Sequence, residues 1–462
     1  MKVRKFQIQR RLPSWCALVL VFTMGAGLSG CDTLLDVSNP NNVGGDDLLD
    51  PVASSAVANG ALFTVQQGYG YMLAPYSTVG DELHWIGSRD AWQELEFGTP
   101  DNPANEFTDG AFPFFAQGRW MADNAISILE QHQADGVLED PTELARAYLY
   151  AAISYTNIAD WMDDFDLSDR RESAPPIGEA NMSTLYDTAI GYLGKALAIV
   201  GGSGSDLERN LLAMRARTQH AKGVWMRVGT KPINISSPLV TDAAAVADAQ
   251  AALAIDNTDW KYQFSYGSAT VWNDTGWQVN ARLELRFSDD YIFVTSDDNT
   301  RDVTAADRGI KLQDPIDGVG DPRLDAIMTQ FESKERFADL TVLSAREMYL
   351  IMAEDALARG VVTGGNSFES NVNTVRNMGG MSDWVDGGVG MPTAQDMLVH
   401  ERRVNLFLQG RRLNDMYRFG VQSAMWQPSR SAVTSPGTFL PITKIELDAN
   451  CFLNPDFACP GK

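Results

Sequence analysis

Histidine and cysteine are scarce, with four of each in 462 residues. His84, His132, His220 and His400 are scattered, and none has the H-E-x-x-H spacing of a zinc hydrolase. No G-x-S-x-G elbow marks a serine nucleophile. Basic residues are also in short supply: 37 Lys+Arg stand against 60 Asp+Glu, a net charge of −23. That balance argues against nucleic acid as a partner and against adsorption to anionic lipid. After the first 30 residues no apolar run is long enough to cross a bilayer. Glycoside hydrolysis needs two placed carboxylates, and 60 dispersed acids single out no pair. The chain reads as a non-enzymatic binding protein without a cofactor.

What is present is globular: 44% apolar residues and 10% aromatics are enough for a large core. The first 30 residues stand apart. Lys2, Arg4, Lys5, Arg10 and Arg11 precede an apolar run from Trp15 to Phe22, with no acid. This is the pattern of a signal peptide, and Leu28-Ser29-Gly30-Cys31 looks like a bacterial lipobox that would make Cys31 the lipidated first residue. Without those five basic residues, 32 remain against 60 acids, so the mature chain carries −28 and would be held at a membrane only by its lipid. Asp32 to Asp50, polar and rich in Asn and Gly, reads as a tether into a domain spanning 51–462. Cys451 and Cys459, close together in an exported chain, read as a disulfide pinning the C-terminus.

Helical signals dominate the domain. Pro51–Tyr69 reads as a first helix with Asp50 as N-cap, followed by Met72–Phe115, low in helix signals and dense in Gly, Pro and aromatics. Phe115–Gln133 is a second helix. Thr142–Trp161 repeats Ala145, Ala152 and Ala159 every seven residues, the spacing of close helix-on-helix packing. With Ser183–Val200, for which Ser183 is a candidate cap, it resembles a tetratricopeptide pair. Leu207–Val228 with Asp242–Ile255, and Leu343–Arg359 with Ser367–Asn377, repeat the arrangement at irregular intervals. Between about 256 and 335 the signals change to a largely non-helical insertion, with short strands at Arg282–Phe287 and Tyr291–Val294. The expected fold is mainly α: irregular tetratricopeptide-like helix pairs, α-solenoid-like, with a loop-rich face and a few short strands.

Leu398–Gly420 is apolar on more than one side yet carries Glu401, Arg402, Arg403, Arg411, Arg412, Asp415 and Arg418. Buried charges need partners, so this stretch reads as one central helix, bent at Gly410, whose arginines knit neighbouring elements together. The pattern Glu401-Arg402-Arg403, Gly410-Arg411-Arg412, Asp415, Arg418 resembles the C-terminal signature of the SusD/RagB family of surface nutrient-binding lipoproteins. Further likenesses follow in family order at Asp81-Glu82-Leu83, Gly320-Asp321-Pro322-Arg323-Leu324, Arg346 to Glu354, Asn373 to Asn377, Leu440-Pro441-Ile442 and Asn454-Pro455. The resemblance implies a structural role for Glu401, Arg402, Arg403, Arg412 and Asp415. It also implies an outer-membrane lipoprotein, anchored through Cys31 and facing outward. Such a protein captures oligosaccharide or peptide and passes it to a TonB-dependent transporter of the SusC type. The rival reading is a tetratricopeptide-like scaffold that binds a protein partner.

Sugars present apolar C–H faces between hydroxyls, and proteins hold them on flat rings edged by carboxylates, amides and arginines. Two regions have that composition, Tyr71–Phe115 and Trp260–Trp277. The residues singled out as ligand-binding are His84, Trp85, Arg89, Trp92, Trp272, Asn273 and Trp277. Asp163 to Asp169 alternates oxygen ligands in a way that suits Ca²⁺, although it lacks the turn Gly and closing Glu of an EF-hand. Exposed tryptophans beside polar groups would favour a small ligand; a flat apolar patch would favour the scaffold.

Overall fold

The computed structural model describes residues 47–169, 172–229, 231–295 and 303–459. The signal peptide, Cys31 and most of the tether lie outside the described residues. The chain divides into residues 1–50, of which the described part is a short 3-10 turn at Asp47–Leu49, and 51–462. The larger unit is mainly helical.

Its first helix, α1 (Ser54–Val79), starts after a 3-10 turn, has no side-chain cap and runs through Pro75, ten residues beyond the expected end. A short strand β1 (Leu83–Trp85) and a two-turn helix α2 (Asp90–Glu96) follow. Helix α3 (Glu106–Ala134) begins nine residues before the expected Phe115, because the Asn105 side chain accepts from the amides of Phe107 and Thr108. The stretch 72–115 therefore holds parts of three helices. Tertiary burial overrides its Gly and Pro content: Met72 to Val79 is wholly buried.

Helices α4 (Thr142–Trp161) and α5 (Ser183–Val200) form the first pair, although Ser183 caps nothing. Next come α6 (Asp206–Val228) and α7 (Ala243–Ile255), capped by Ser205 and Asp242. The last pair is α10 (Ala345–Ala358) with α11 (Phe368–Met378), capped by Ser344 and Ser367. In the region between the pairs lie β2 (Lys261–Phe264), α8 (Asp274–Asn280), β3 (Leu285–Phe287), β4 (Ile292–Val294), β5 (Arg308–Ile310) and α9 (Pro322–Glu332). The strands make three separate antiparallel pairs: β1 with β3 (Leu83 opposite Phe287), β2 with β6 (Leu340–Ser344), and β4 with β5. Insertion and first loop region are thus stitched together by β1–β3. Among the described residues no helix is long and apolar enough to cross a membrane.

The stretch 398–420 is two helices rather than one bent at Gly410: α12 (Ala394–Asn405) and α13 (Arg412–Phe419). The break comes earlier than expected. Leu408 and Gly410 both have positive φ (54° and 68°), and this turn is held from outside. Glu82 accepts the Leu408 amide at 2.8 Å, and Trp161 donates its indole N–H to the Gly410 carbonyl at 3.0 Å. A Cβ at Gly410 would lie 2.3 Å from the Trp161 ring, so only glycine fits.

Around this turn the charged residues pair off in the interior. Glu401 accepts from Arg323 at 2.6 Å and from Arg376 at 2.8 Å. Arg402 binds Asp415 at 2.8 Å, Arg412 takes Asp81 through two N–H groups (2.9 and 2.8 Å), and Arg411 pairs with Asp160. Arg403 lies over the Tyr291 ring, 4.3 Å from its centroid. Arg418 bridges Asp415 and the fully buried Glu354, and Arg217 grips Glu347. These partners come from segments hundreds of residues apart, including Asp81, Arg323, Glu347, Glu354 and Arg376. Four of the scattered likenesses, through Asp81, Arg323, Glu347 with Glu354, and Arg376, thus meet in buried ion pairs around this turn.

Candidate functional site

Gly68 sets up the site. A Cβ there would lie 2.7 Å from the Phe114 carbonyl oxygen, so α1 and α3 touch backbone to backbone at this point. One turn on, the Tyr71 ring stacks on Phe114 with centroids 4.1 Å apart and planes 16° apart. The Tyr71 hydroxyl accepts the Trp272 indole N–H at 3.1 Å. Trp272 in turn stacks on Trp277 (5.3 Å, 19°), for they flank the first turn of α8. Arg336 lies over Trp272 at 5.7 Å, and Arg282 over Trp277 at 5.1 Å. Arg282 also reaches Phe107 at 5.8 Å. Phe107 and Phe114 are seven residues apart on α3 and so share a face.

The result is a partly exposed ledge of Phe114, Tyr71, Trp272, Trp277 and Phe107, with a guanidinium group over each tryptophan. Asp274, 7% exposed, sits behind the tryptophans and accepts from Gln278 at 3.2 Å. Burial pushes its carboxyl up to about 6, against the pull of Arg282. Burial likewise raises the Tyr71 phenol, leaving it a neutral hydrogen-bonding group. Flat rings with donors at their edges can hold a ligand that is apolar on its faces and polar at its rim.

The residues singled out from sequence divide into three groups. Trp272 and Trp277 lie on the ledge. Trp92 does not: it is fully buried and stacked on Phe107 at 3.8 Å, so it supports that ring from behind. Asn273 is also fully buried, donating to the Ala338 carbonyl at 2.9 Å, and braces the turn below the tryptophans. Both are corrected to supporting positions, since neither shows a ligand any surface. His84, half-buried, is hydrogen-bonded to Glu96, and Trp85 beside it is also half-buried. Arg89 is exposed and paired with Glu106. These three are not in the ring contacts of the ledge. Tyr71, Phe107, Phe114, Arg282 and Arg336 went unnoticed in the sequence; the seven-residue spacing of Phe107 and Phe114 was a signal for two of them.

Cys451 and Cys459 are joined in a disulfide, with Cα atoms 5.1 Å apart. In the acidic loop, Asp164 accepts the amides of Phe165 and Gly178 at 2.7 Å, and Asp169 accepts that of Glu172 at 2.7 Å. These carboxylates shape turns. Among the described residues the converging trio of metal-type ligands is Asp314, Asp321 and His400, and its oxygens are taken by Arg323 and Arg376.

No protein-family model matches the chain, and no curated protein matches it by sequence. Its fold, however, matches solved structures over nearly their whole length. A SusD superfamily protein from Parabacteroides distasonis ATCC 8503 superimposes with a TM-score of 0.60 at 12% identity, covering 87% of this chain and 98% of that one. The chain has the SusD-superfamily fold. A SusD-like carbohydrate-binding protein from Bacteroides fragilis NCTC 9343 matches at TM-score 0.52 and 13% identity (80% and 86% covered). A structure solved with a xylogluco-oligosaccharide matches at 0.55 and 13% (80% and 83%). At such identities the SusD-like fold is what is shared, and the ledge must be judged on its own geometry.

Proposed function

We propose that this chain is a non-enzymatic SusD-family lipoprotein that binds oligosaccharide on the Tyr71–Trp272–Trp277 ledge. The observation that carries this reading is the pair of partly exposed tryptophans, stacked on each other with nearly parallel planes, each with an arginine over its ring. A sugar ring stacked there would place its equatorial hydroxyls within reach of Arg282, Arg336 and the Tyr71 hydroxyl. Two of the SusD-like folds support the reading, one described as carbohydrate-binding and one solved with a xylogluco-oligosaccharide. The rival, a scaffold for a protein partner, calls for a flat apolar patch, whereas these rings are rimmed by charge. Anchored through Cys31 at the outer face of the outer membrane, the domain would hand its ligand to a TonB-dependent transporter. Capture beside the pore raises the local ligand concentration even at modest affinity.

The test is a binding screen of the mature soluble domain against glycan oligomers, xyloglucan fragments included, and against peptides. Each ledge tryptophan removed should weaken glycan binding about tenfold. Undiminished binding in both Trp272→Ala and Trp277→Ala sinks the site. A membrane pull-down that recovers no transporter barrel sinks the delivery step.

A further inference from the structure

Helix α3 presents a second surface, turned roughly a third of a turn from the Phe107–Phe114 stripe. There Pro113, Ala116 and Trp120 wall one side of a groove of about 320 Å³, and Ile445 from the helix α14 (Lys444–Ala449) walls the other. Among its lining residues are the carboxyl groups of Asp166 and Glu446. Asp166 is 3% exposed; its Oδ1 accepts the Ser168 amide at 3.1 Å, and its Oδ2 has no hydrogen-bond donor among the described residues. Glu446 Oε1 accepts from Asn450 at 3.0 Å and from the Ser168 hydroxyl at 3.4 Å. Burial pushes the Glu446 carboxyl up, and the facing Asp166 charge adds to it.

Two facing carboxyls in a half-apolar groove are relieved either by a shared proton or by a cation. A bare divalent ion would want further oxygen ligands, yet these two belong to no converging group of three His, Asp or Glu side chains among the described residues. The opposite wall is hydrocarbon, which suits a methylene stem. We propose that this groove binds an alkyl chain ending in an ammonium or guanidinium group, as a lysine or arginine side chain of a peptide does, with the cationic head against the partly exposed Glu446 carboxyl that Asp166 backs. The site is separate from the ledge and independent of the glycan reading.

Asp169 lines the same groove; Arg119 of α3 is held by the Ser168 carbonyl and Asp123; Lys444 on α14 is paired with Asp448. Because burial and the facing Asp166 hold the Glu446 carboxyl above its ordinary value, cation binding there displaces its proton, so affinity rises as pH rises above the ordinary carboxylate range.

The mature chain is titrated calorimetrically with Nα-acetyl-lysine methylamide, its arginine counterpart, the neutral norleucine counterpart and CaCl₂. The cationic probes should bind at least about tenfold more tightly than the norleucine probe, with Asp166→Asn or Glu446→Gln each costing about tenfold. Trp272→Ala should leave this binding unchanged, which separates the outcome from any failure of the glycan site. Equal affinity for norleucine, tighter binding of Ca²⁺ than of either organic cation, or full binding in both variants overturns the proposal. The lysine–norleucine comparison on the unmutated chain decides the matter even where a variant fails to fold.

Discussion

Glu354→Gln is expected to be among the most destabilising single changes in the domain. Glu354 is completely buried. Its carboxylate accepts from Arg418, from the Val240 amide at 2.9 Å and from His220 at 2.9 Å, with Arg402 at 3.7 Å. Burial alone would raise its pKa; Arg418 and His220 outweigh that and hold it well below the usual range. Burial keeps His220 itself neutral, so it contributes a donor rather than a charge. A glutamine keeps the shape but leaves Arg418 and Arg402 to share Asp415 alone, and such an uncompensated buried charge costs about 3–5 kcal/mol. Over a unit of about 400 residues that corresponds to a Tm lower by about 4–6 °C. Because the folded-state pKa is depressed, the contribution is complete above the unfolded value of about 4.5 and is lost as pH falls through the folded one. Thermal and urea melts of both proteins at pH 7 should therefore show the full gap, which narrows in acid. Adding Arg418→Met should recover part of the loss. A gap below about 1 kcal/mol at pH 7 would refute the account of this network as a set of mutually dependent charges.

Trp92→Ala should cost about 3–5 kcal/mol of stability, as a fully buried ring, whereas Trp277→Ala should change the melt little and act on glycan affinity; paired melts and titrations distinguish them. Asp274, with a folded pKa of about 6, is raised above its ordinary value, so stability should decline as pH rises from about 4 to 6 and stay level above. Asp274→Asn should remove that slope and stabilise the protein at pH 7 by up to about 3 kcal/mol; a variant no more stable than its parent contradicts the burial argument. Reduction of Cys451–Cys459, which closes a loop of eight-residue separation, should release about 2–3 kcal/mol of local constraint. Limited proteolysis should then cut 451–459 faster while the global melt holds.

Helix pairs were legible because their signal is local. The seven-residue alanine repeat of 142–161 lies within one helix, whereas the caps that form, Ser205, Asp242 and Ser367, are not the expected Asp50 and Ser183. Residues 72–79 and 106–114 were missed for the opposite reason. Their glycines and prolines argue against helix locally, and burial against α1, α3 and the ionic core outweighs that preference. The break at Leu406–Gly410 was misplaced because the groups that hold it, Glu82 and Trp161, are remote in the chain.

The charged stretch around 401–418 could be recognised by itself as interior, since an apolar helix rich in arginine has to find internal anions. Which anions they are was decided only by the tertiary structure, where Asp81, Asp160, Glu347 and Glu354 converge from distant segments. The ledge follows the same division. Composition marked two aromatic regions, but side-chain exposure is a property of packing. Only the approach of α1 to α3 at Gly68 and the β1–β3 pairing bring them together, sending Trp92 and Asn273 inward and leaving Tyr71, Trp272 and Trp277 at the surface.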